Sequence, residues 1–344
     1  MLLRKKLMVF VLVSLMLIVG SVSVWAVQDA AEFYKGKTIT IYDSYSSGSD
    51  FARQARLLAP FIKEATGAKD VRLESKSGAG GLISRNWFYN DAKNDGLTIL
   101  IDHGPKIIQY DLFDMEGVEY NWEDFEWIGK IAEENLIFAV GKDLGINNLD
   151  DLAKEESVLV GVSKPFYEPI IMEALGMDMM GLKKLNIVPG YPSPAEKVVS
   201  IARGEIQSCV GNTFSFLGSL DIVQPLVITF PHKSFPGVPT VREMAPDDRM
   251  KWVEYLEAFE IAQYSFIAPP GTPADRVKFL EECLHKVYDN PEVEEALSSQ
   301  NWDKTEKFIG SQELNQITKS IADMTPEEVK DLKYVVEEKY MILK

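Results

Sequence analysis

The amino-acid sequence predicts an α/β protein of two lobes, each a mostly parallel sheet flanked by helices. Two observations lead there. Short β-rich runs alternate with helical ones, the rhythm of parallel strands joined by crossover helices. The alternation occurs twice, once from Thr38 to Ile101 and again from Leu136 to Phe230.

In the first unit, strands are predicted at 38–42, 71–74 and 98–101 and helices at 50–65 and 82–90. Phe51, Ala55, Leu58, Ile62 and Ala65 recur at helical spacing, which gives the first helix one core-facing stripe. Residues 128–134 are a candidate crossing to the second unit. There strands are predicted at 136–140, 158–162, 185–188, 206–210 and 226–230, with helices near 149–154, 169–175 and 194–203. A proline-rich stretch from Pro231 to Pro239 leads to a strand candidate at 261–268. The run Pro269-Pro270-Gly271-Thr272-Pro273 then opens a long helix, with Thr272 as N-cap, Pro273 at the first helical position and Val277, Leu280, Leu284 and Val287 as its buried stripe. A tail of helices continues to Lys344, the last starting at Thr325-Pro326. Residues 27–133 with 232–344 are expected to form lobe 1, and 134–231 lobe 2.

The compartment is read from the first residues. Arg4, Lys5 and Lys6 precede an apolar run from Leu7 to Val19, and Val24-Trp25-Ala26 offers a cleavage site, so 1–26 is predicted to be a secretory signal peptide and the protein to work in the periplasm. The apolar run is shorter than the roughly 20 residues a spanning helix needs. No cysteine near the cut suggests a lipid anchor. Losing the three basic residues takes the formal charge from −16 to −19, which argues against nucleic acid or anionic membrane as a partner. Cys209 and Cys283 sit in apolar stretches of different lobes, and two buried thiols are the simpler reading.

In open parallel sheets, ligands bind outside the carboxyl ends of the strands. The first loop there is Ser44-Tyr45-Ser46-Ser47-Gly48-Ser49-Asp50, whose hydroxyls and amides suit a carboxylate, although Ser49 or Asp50 would equally serve as a helix cap. The second, Ser77-Gly78-Ala79-Gly80-Gly81, is either an anion-accepting nest or a tight turn. Ile83 stands where a dinucleotide fingerprint has its third glycine, and the Lys-Ser/Thr ending of a phosphate-binding loop is missing. The third holds His103, which has no metal-type spacing to His232 or His285. In the second unit Ser163, Lys164 and Phe166, then Tyr191, then Asn212 and Thr213 offer a cation, aromatic walls and hydrogen-bonding groups, with solvated turns as the alternative. The stretch Gly161-Val162-Ser163-Lys164-Pro165 lacks the final glycine of a nucleophile elbow, and no Cys-His pattern or carboxylate pair stands out. Neither an enzyme nor a cofactor or metal is expected.

Ordered motifs then add a resemblance. They are Tyr34-Lys35-Gly36-Lys37-Thr38-Ile39, Arg56-Leu57-Leu58-Ala59-Pro60, Ser77-Gly78-Ala79-Gly80-Gly81-Leu82-Ile83, Asp95-Gly96-Leu97-Thr98-Ile99, Ala202-Arg203-Gly204-Glu205-Ile206, Gly237-Val238-Pro239-Thr240-Val241, Ala268-Pro269-Pro270-Gly271-Thr272-Pro273 and Asp289-Asn290-Pro291-Glu292-Val293. Together they make the chain resemble the TctC-type, or Bug-type, substrate-binding proteins of tripartite tricarboxylate transporters. The resemblance implies a type II-like periplasmic-binding-protein fold, a small organic solute in the inter-lobe cleft, a pair of membrane transporter subunits as partners, and no catalysis. It assigns one solute carboxylate to Ser46–Ser49 and Gly78–Gly81, and the distal end to Ser163, Tyr191 and Asn212. One departure concerns the first loop, where the family carries paired glycines and an aspartate four residues before the arginine matched by Arg56. This chain has Ala52 there, with Ser46-Ser47-Gly48-Ser49-Asp50 upstream. The expected protein is a monomer that captures a small carboxylate for a transporter; the alternative is a ligand-dependent sensor partner of a membrane receptor.

Overall fold

The computed structural model describes residues 30–133, 135–155, 157–162, 185–191, 193–300 and 302–334. The predicted signal peptide, the helix at 169–175 and the loop carrying Ser163, Lys164 and Phe166 lie outside them.

Strand alternation builds the first sheet. In β1 (Thr38–Asp43) every second residue is buried, including Ile39 and Ile41. In β3 (Thr98–Asp102) Leu100 joins one apolar cluster while Ile99 and Ile101 join another, as a sheet covered on both faces requires. Strand β1 pairs in parallel with β3 and with β2 (Asp70–Ser75). With β4 (Glu126–Glu133), β10 (Ser265–Ala268) and β11 (Asp303–Gly310), the order is β11-β4-β10-β3-β1-β2, and β10 runs antiparallel to both its neighbours.

The second sheet contains β5 (Leu136–Gly141), β6 (Val158–Val162), β7 (Leu185–Pro189), β8 (Ser208–Asn212) and β9 (Val223–Ile228), in the order β7-β6-β8-β5-β9. Strands β6, β7 and β8 are parallel, and β5 is antiparallel to β8 and β9. The two sheets share a plan. In each, the strand that follows a crossing of the chain, β5 or β10, lies antiparallel beside the third parallel strand. The return crossing is tied at its start by Thr229, whose amide donates to Leu136 O at 3.0 Å, and by a bridge between Ile228 and Thr240.

Helices cover these faces for local reasons. Helix α1 (Asp50–Thr66) starts where Ser49 Oγ accepts from Ala52 N and stops at Gly67, whose left-handed φ of 67° returns its N–H to Glu64 O. Between those ends Phe51, Ala55, Leu58 and Ile62 are buried, and a fully buried side chain of the larger kinds contributes about 1.5–3 kcal/mol. Helices α2 (Leu82–Asn90) and α3 (Gly104–Leu112) follow β2 and β3; α4 (Leu149–Leu152), α5 (Pro194–Ala202) and α6 (Thr213–Leu217) belong to the second unit. The chain then forms α7 (Val241–Met244), α8 (Met250–Ile261), α9 (Ala274–Asp289), α10 (Pro291–Ser299), α11 (Ser311–Ala322) and α12 (Pro326–Tyr334).

Four expectations are corrected. The stretch at 128–134 is not simply a crossing, because Glu126–Glu133 is a strand whose Trp127 and Ile128 enter opposite apolar clusters. The strand candidate at 261–268 is cut to Ser265–Ala268, since Ile261 ends a helix whose Val253, Leu256 and Phe259 are buried. The helical tail contains β11, paired with β4. Thr272 does not cap the long helix: its hydroxyl donates to Pro269 O at 2.8 Å, and α9 begins at Ala274, after Pro273. The second has a local cause, since short apolar runs fit a strand and a buried helix alike. Cys209 and Cys283 are buried thiols, not joined in a disulfide. No helix among the described residues is long and apolar enough to cross a membrane.

Candidate solute-binding site

Because β1, β2 and β3 are parallel, their carboxyl ends meet at one edge, where Asp43, Ser75 and Asp102 stand. Asp43 organises the loop that follows β1. Its Oδ1 accepts from Tyr45 N at 2.7 Å and from Ser49 Oγ at 3.0 Å, and its Oδ2 accepts from the Ser75 hydroxyl. Ser49 N donates to Ser46 O at 2.8 Å, closing a turn in which Ser46, Ser47 and Gly48 are exposed. Among the described residues the amides of Ser46, Ser47 and Gly48 donate to no acceptor. Ser49 is thus a helix cap, Asp50 pairs with Arg53, and Arg56 holds Ser47 O at 3.1 Å.

The second loop runs through four consecutive positive φ values, 143° at Gly78, 47° at Ala79, 66° at Gly80 and 98° at Gly81. The turn closes by Gly81 N donating to Gly78 O at 2.9 Å, and Ala79 and Gly80 remain exposed. Gly81 cannot carry a side chain: a Cβ would lie 2.9 Å from Arg85 Nη2 and 3.1 Å from Ser44 Cβ. This contact packs the glycine turn against the loop after β1.

Beside both loops lies a largely buried polar cluster. Arg85 Nε donates to Asp102 Oδ2 at 2.8 Å and Nη2 to Asp102 Oδ1 at 3.0 Å, with both side chains fully buried. Nη2 also donates to Tyr45 Oη at 2.9 Å, and Lys106 Nζ reaches the same oxygen at 3.3 Å. Nη1 has no hydrogen-bond partner among the described residues. Burial disfavours the Arg85 charge, but Asp102 and Tyr45 outweigh it and hold the guanidinium charged. His103 is 8% exposed and packs its ring against Phe51. Burial, with the charges of Lys106, Arg85 and Lys130, pushes its pKa well below the usual value, so the imidazole is neutral at pH 7.

In the second unit, Tyr191 N donates to Val162 O at 3.1 Å, and its half-buried ring lies over Gly161, where a Cβ would stand 3.2 Å from Tyr191 Cδ2. Asn212 caps α6 through Ser215 N at 2.9 Å, and Thr213 is buried with its amide on Asn135 O at 3.0 Å. Lys197, on the inner face of α5, donates to Val210 O at 3.0 Å near the same strand end.

Tyr45, Ser46–Ser49, Gly78–Gly81 and His103 therefore gather at one edge of the first sheet, while Asn212 and Thr213 start a helix after β8 and Tyr191 follows β7. Arg85, Asp102, Lys106 and Lys197 belong to these surroundings but were missed by sequence reasoning. A signal existed for the cations: Arg85 sits between Leu82 and Phe88, and Lys197 between Pro194 and Ile201, at helical spacing on an apolar stripe. A cavity of about 950 Å³ lies elsewhere, among Glu254, Glu281, His285, Lys307, Phe308 and Ile317, and none of the candidate residues lines it.

Two sheets built on one plan, linked by two crossings, with polar loops at the carboxyl ends of parallel strands, define a two-lobed solute-binding protein. Solved structures share the fold. A TctC solute binding protein from Polaromonas superposes with a TM-score of 0.69 at 18% identity, over 89% of this chain and 99% of that one. An R. palustris protein with adipate gives 0.63 at 20% identity, over 87% and 97%. A Rhodopseudomonas palustris protein with bound malate gives 0.59 at 19%, over 88% and 99%. No curated protein matches this chain in sequence. The profile of the tripartite tricarboxylate transporter family receptor matches residues 55–333, and the chain belongs to that family. It is a solute receptor and not an enzyme.

Proposed function

We propose that this receptor is exported to the periplasm, captures a small carboxylate between its lobes and delivers it to a tripartite tricarboxylate-type membrane transporter. One observation carries the reading. At the edge of the first sheet the exposed residues Ser46, Ser47 and Gly48 and the glycine turn at 78–81 adjoin Tyr45 and Gly81, which touch two buried cations, Arg85 and, through Tyr45, Lys106, in a chain whose formal charge is −16. Backbone amides backed by positive charge favour an anion, and the field of the acidic surface is screened over about 8–10 Å.

Adipate and malate in two of the similar structures are both dicarboxylates, which supports the same class here. Tyr191, Asn212 and Thr213 then read the distal end, the role also expected from the sequence for Ser163, Lys164 and Phe166. Lobe 1, residues 27–133 with 232–344, closes on lobe 2, residues 134–231, by a hinge at the two crossings, the closure a transporter can detect.

A thermal-shift panel of mono-, di- and tricarboxylates tests the proposal. At 100 times its Kd, a ligand that binds only the native state adds about 2.7 kcal/mol, which raises Tm measurably. Silence across the panel would sink carboxylate capture.

A further inference from the structure

The guanidinium of Arg85 is where three segments distant in sequence meet. It binds Asp102 at the end of β3 through two nitrogens and Tyr45 in the loop after β1 through one, and Gly81 rests on it closely enough to exclude a Cβ. Ser44, next to Tyr45, donates to the same Asp102 at 2.6 Å. A buried ion pair is weak evidence of a gain in stability, since apolar residues of similar volume often do as well. Its place between the two loops points to another role.

The local charges support one. Asp102 is bound by Arg85, Arg85 and Lys106 share the Tyr45 hydroxyl, and His103 is neutral. The other carboxylate at this edge, Asp43, is satisfied by Tyr45 N, Ser49 and Ser75. We propose that Arg85 is the positioning residue of the solute site: it fixes the β1 loop and the glycine turn as one unit and places a fixed positive charge behind their amides. The charge component rests on the carboxylate reading; the positioning component does not.

Two measurements test it. Hydrogen exchange without solute compares the wild type with Arg85→Gln and Arg85→Lys. In Arg85→Gln, protection falls together in peptides covering 44–49 and 78–82 and is unchanged at 208–212; loosening of one loop alone, or of neither, overturns the proposal. Calorimetry then uses adipate and its neutral dimethyl ester as probes. The preference for adipate falls by about tenfold or more in Arg85→Gln and is largely restored in Arg85→Lys, because a point cation replaces the charge but not the two-sided grip. A purely packing role would shift both probes alike, and that result overturns the charge component. Should Arg85→Gln not fold, Arg85→Lys is read alone, with paired loosening of both loops expected. If the wild type binds no carboxylate, the proposed function and the charge component fall together, and exchange alone decides the positioning role.

Discussion

Ser44 donates its hydroxyl to Asp102 Oδ2 at 2.6 Å, joining the end of β1 to the end of β3 across a fully buried contact. The same oxygen accepts from Arg85, so Asp102 is the carboxylate paired with a guanidinium that is fully buried. Removing one member of a buried pair costs more than the pair contributes, because the other is left charged and unsolvated. Asp102→Asn is therefore expected to destabilise the protein by about 3–5 kcal/mol and Ser44→Ala by about 1 kcal/mol. Urea unfolding of the two variants checks this, and equal losses would contradict it.

Backbone conformation separates two glycines of the candidate loops. At Gly81, φ is 98° and a Cβ meets Arg85 and Ser44, whereas at Gly48 nothing lies within 4 Å. Gly81→Ala is expected to cost about 1–3 kcal/mol, and Gly48→Ala to stay within about 0.5 kcal/mol. Thermal melts of both variants give the comparison.

Stability should respond to mild acid through His103. Its folded pKa lies below the unfolded value of 6.5 because burial and three cations oppose its charge. The unfolded chain thus takes up a proton near pH 6.5 that the folded chain does not. The associated stability is complete above that pH and is lost as pH falls below it, at up to about 1.4 kcal/mol per unit. Unfolding at pH 7.5 and 5.5 should show the decline, and His103→Asn should flatten it.

The two cysteines should be inert in the folded state. Burial pushes the Cys283 thiol up to about 12, and its Sγ–H donates to Ala65 O at 3.3 Å. Since the thiolate is the reactive form, iodoacetamide at pH 8 should label neither cysteine before urea and both after it. A 209–283 disulfide in an unreduced peptide map would contradict this.

Much of the fold was legible because the sequence repeats its rhythm. Strand-to-helix alternation gave both units, and the stripe of Phe51, Ala55, Leu58 and Ile62 gave the first helix its inner face, all of which are buried. The elements misread were those whose length and pairing depend on distant partners. Strand β11 has residues that alternate poorly and become a strand only beside β4. Ile261 reads as strand from its neighbours but closes a helix packed on α11.

By itself the sequence determined two lobes, a receptor family and two polar loops, because periodicity and short motifs are local properties of the chain. Only the tertiary structure decided what lies under those loops. Ser44, Arg85, Asp102 and Lys106 are separated by up to 62 positions, and each reads singly as an ordinary polar residue. Packing β1 and β3 side by side, with α2 above them, removes water from these groups, and a charge taken out of water must find its partner within hydrogen-bonding distance. The sequence does not write that requirement at any one position; the fold creates it by burying all four together.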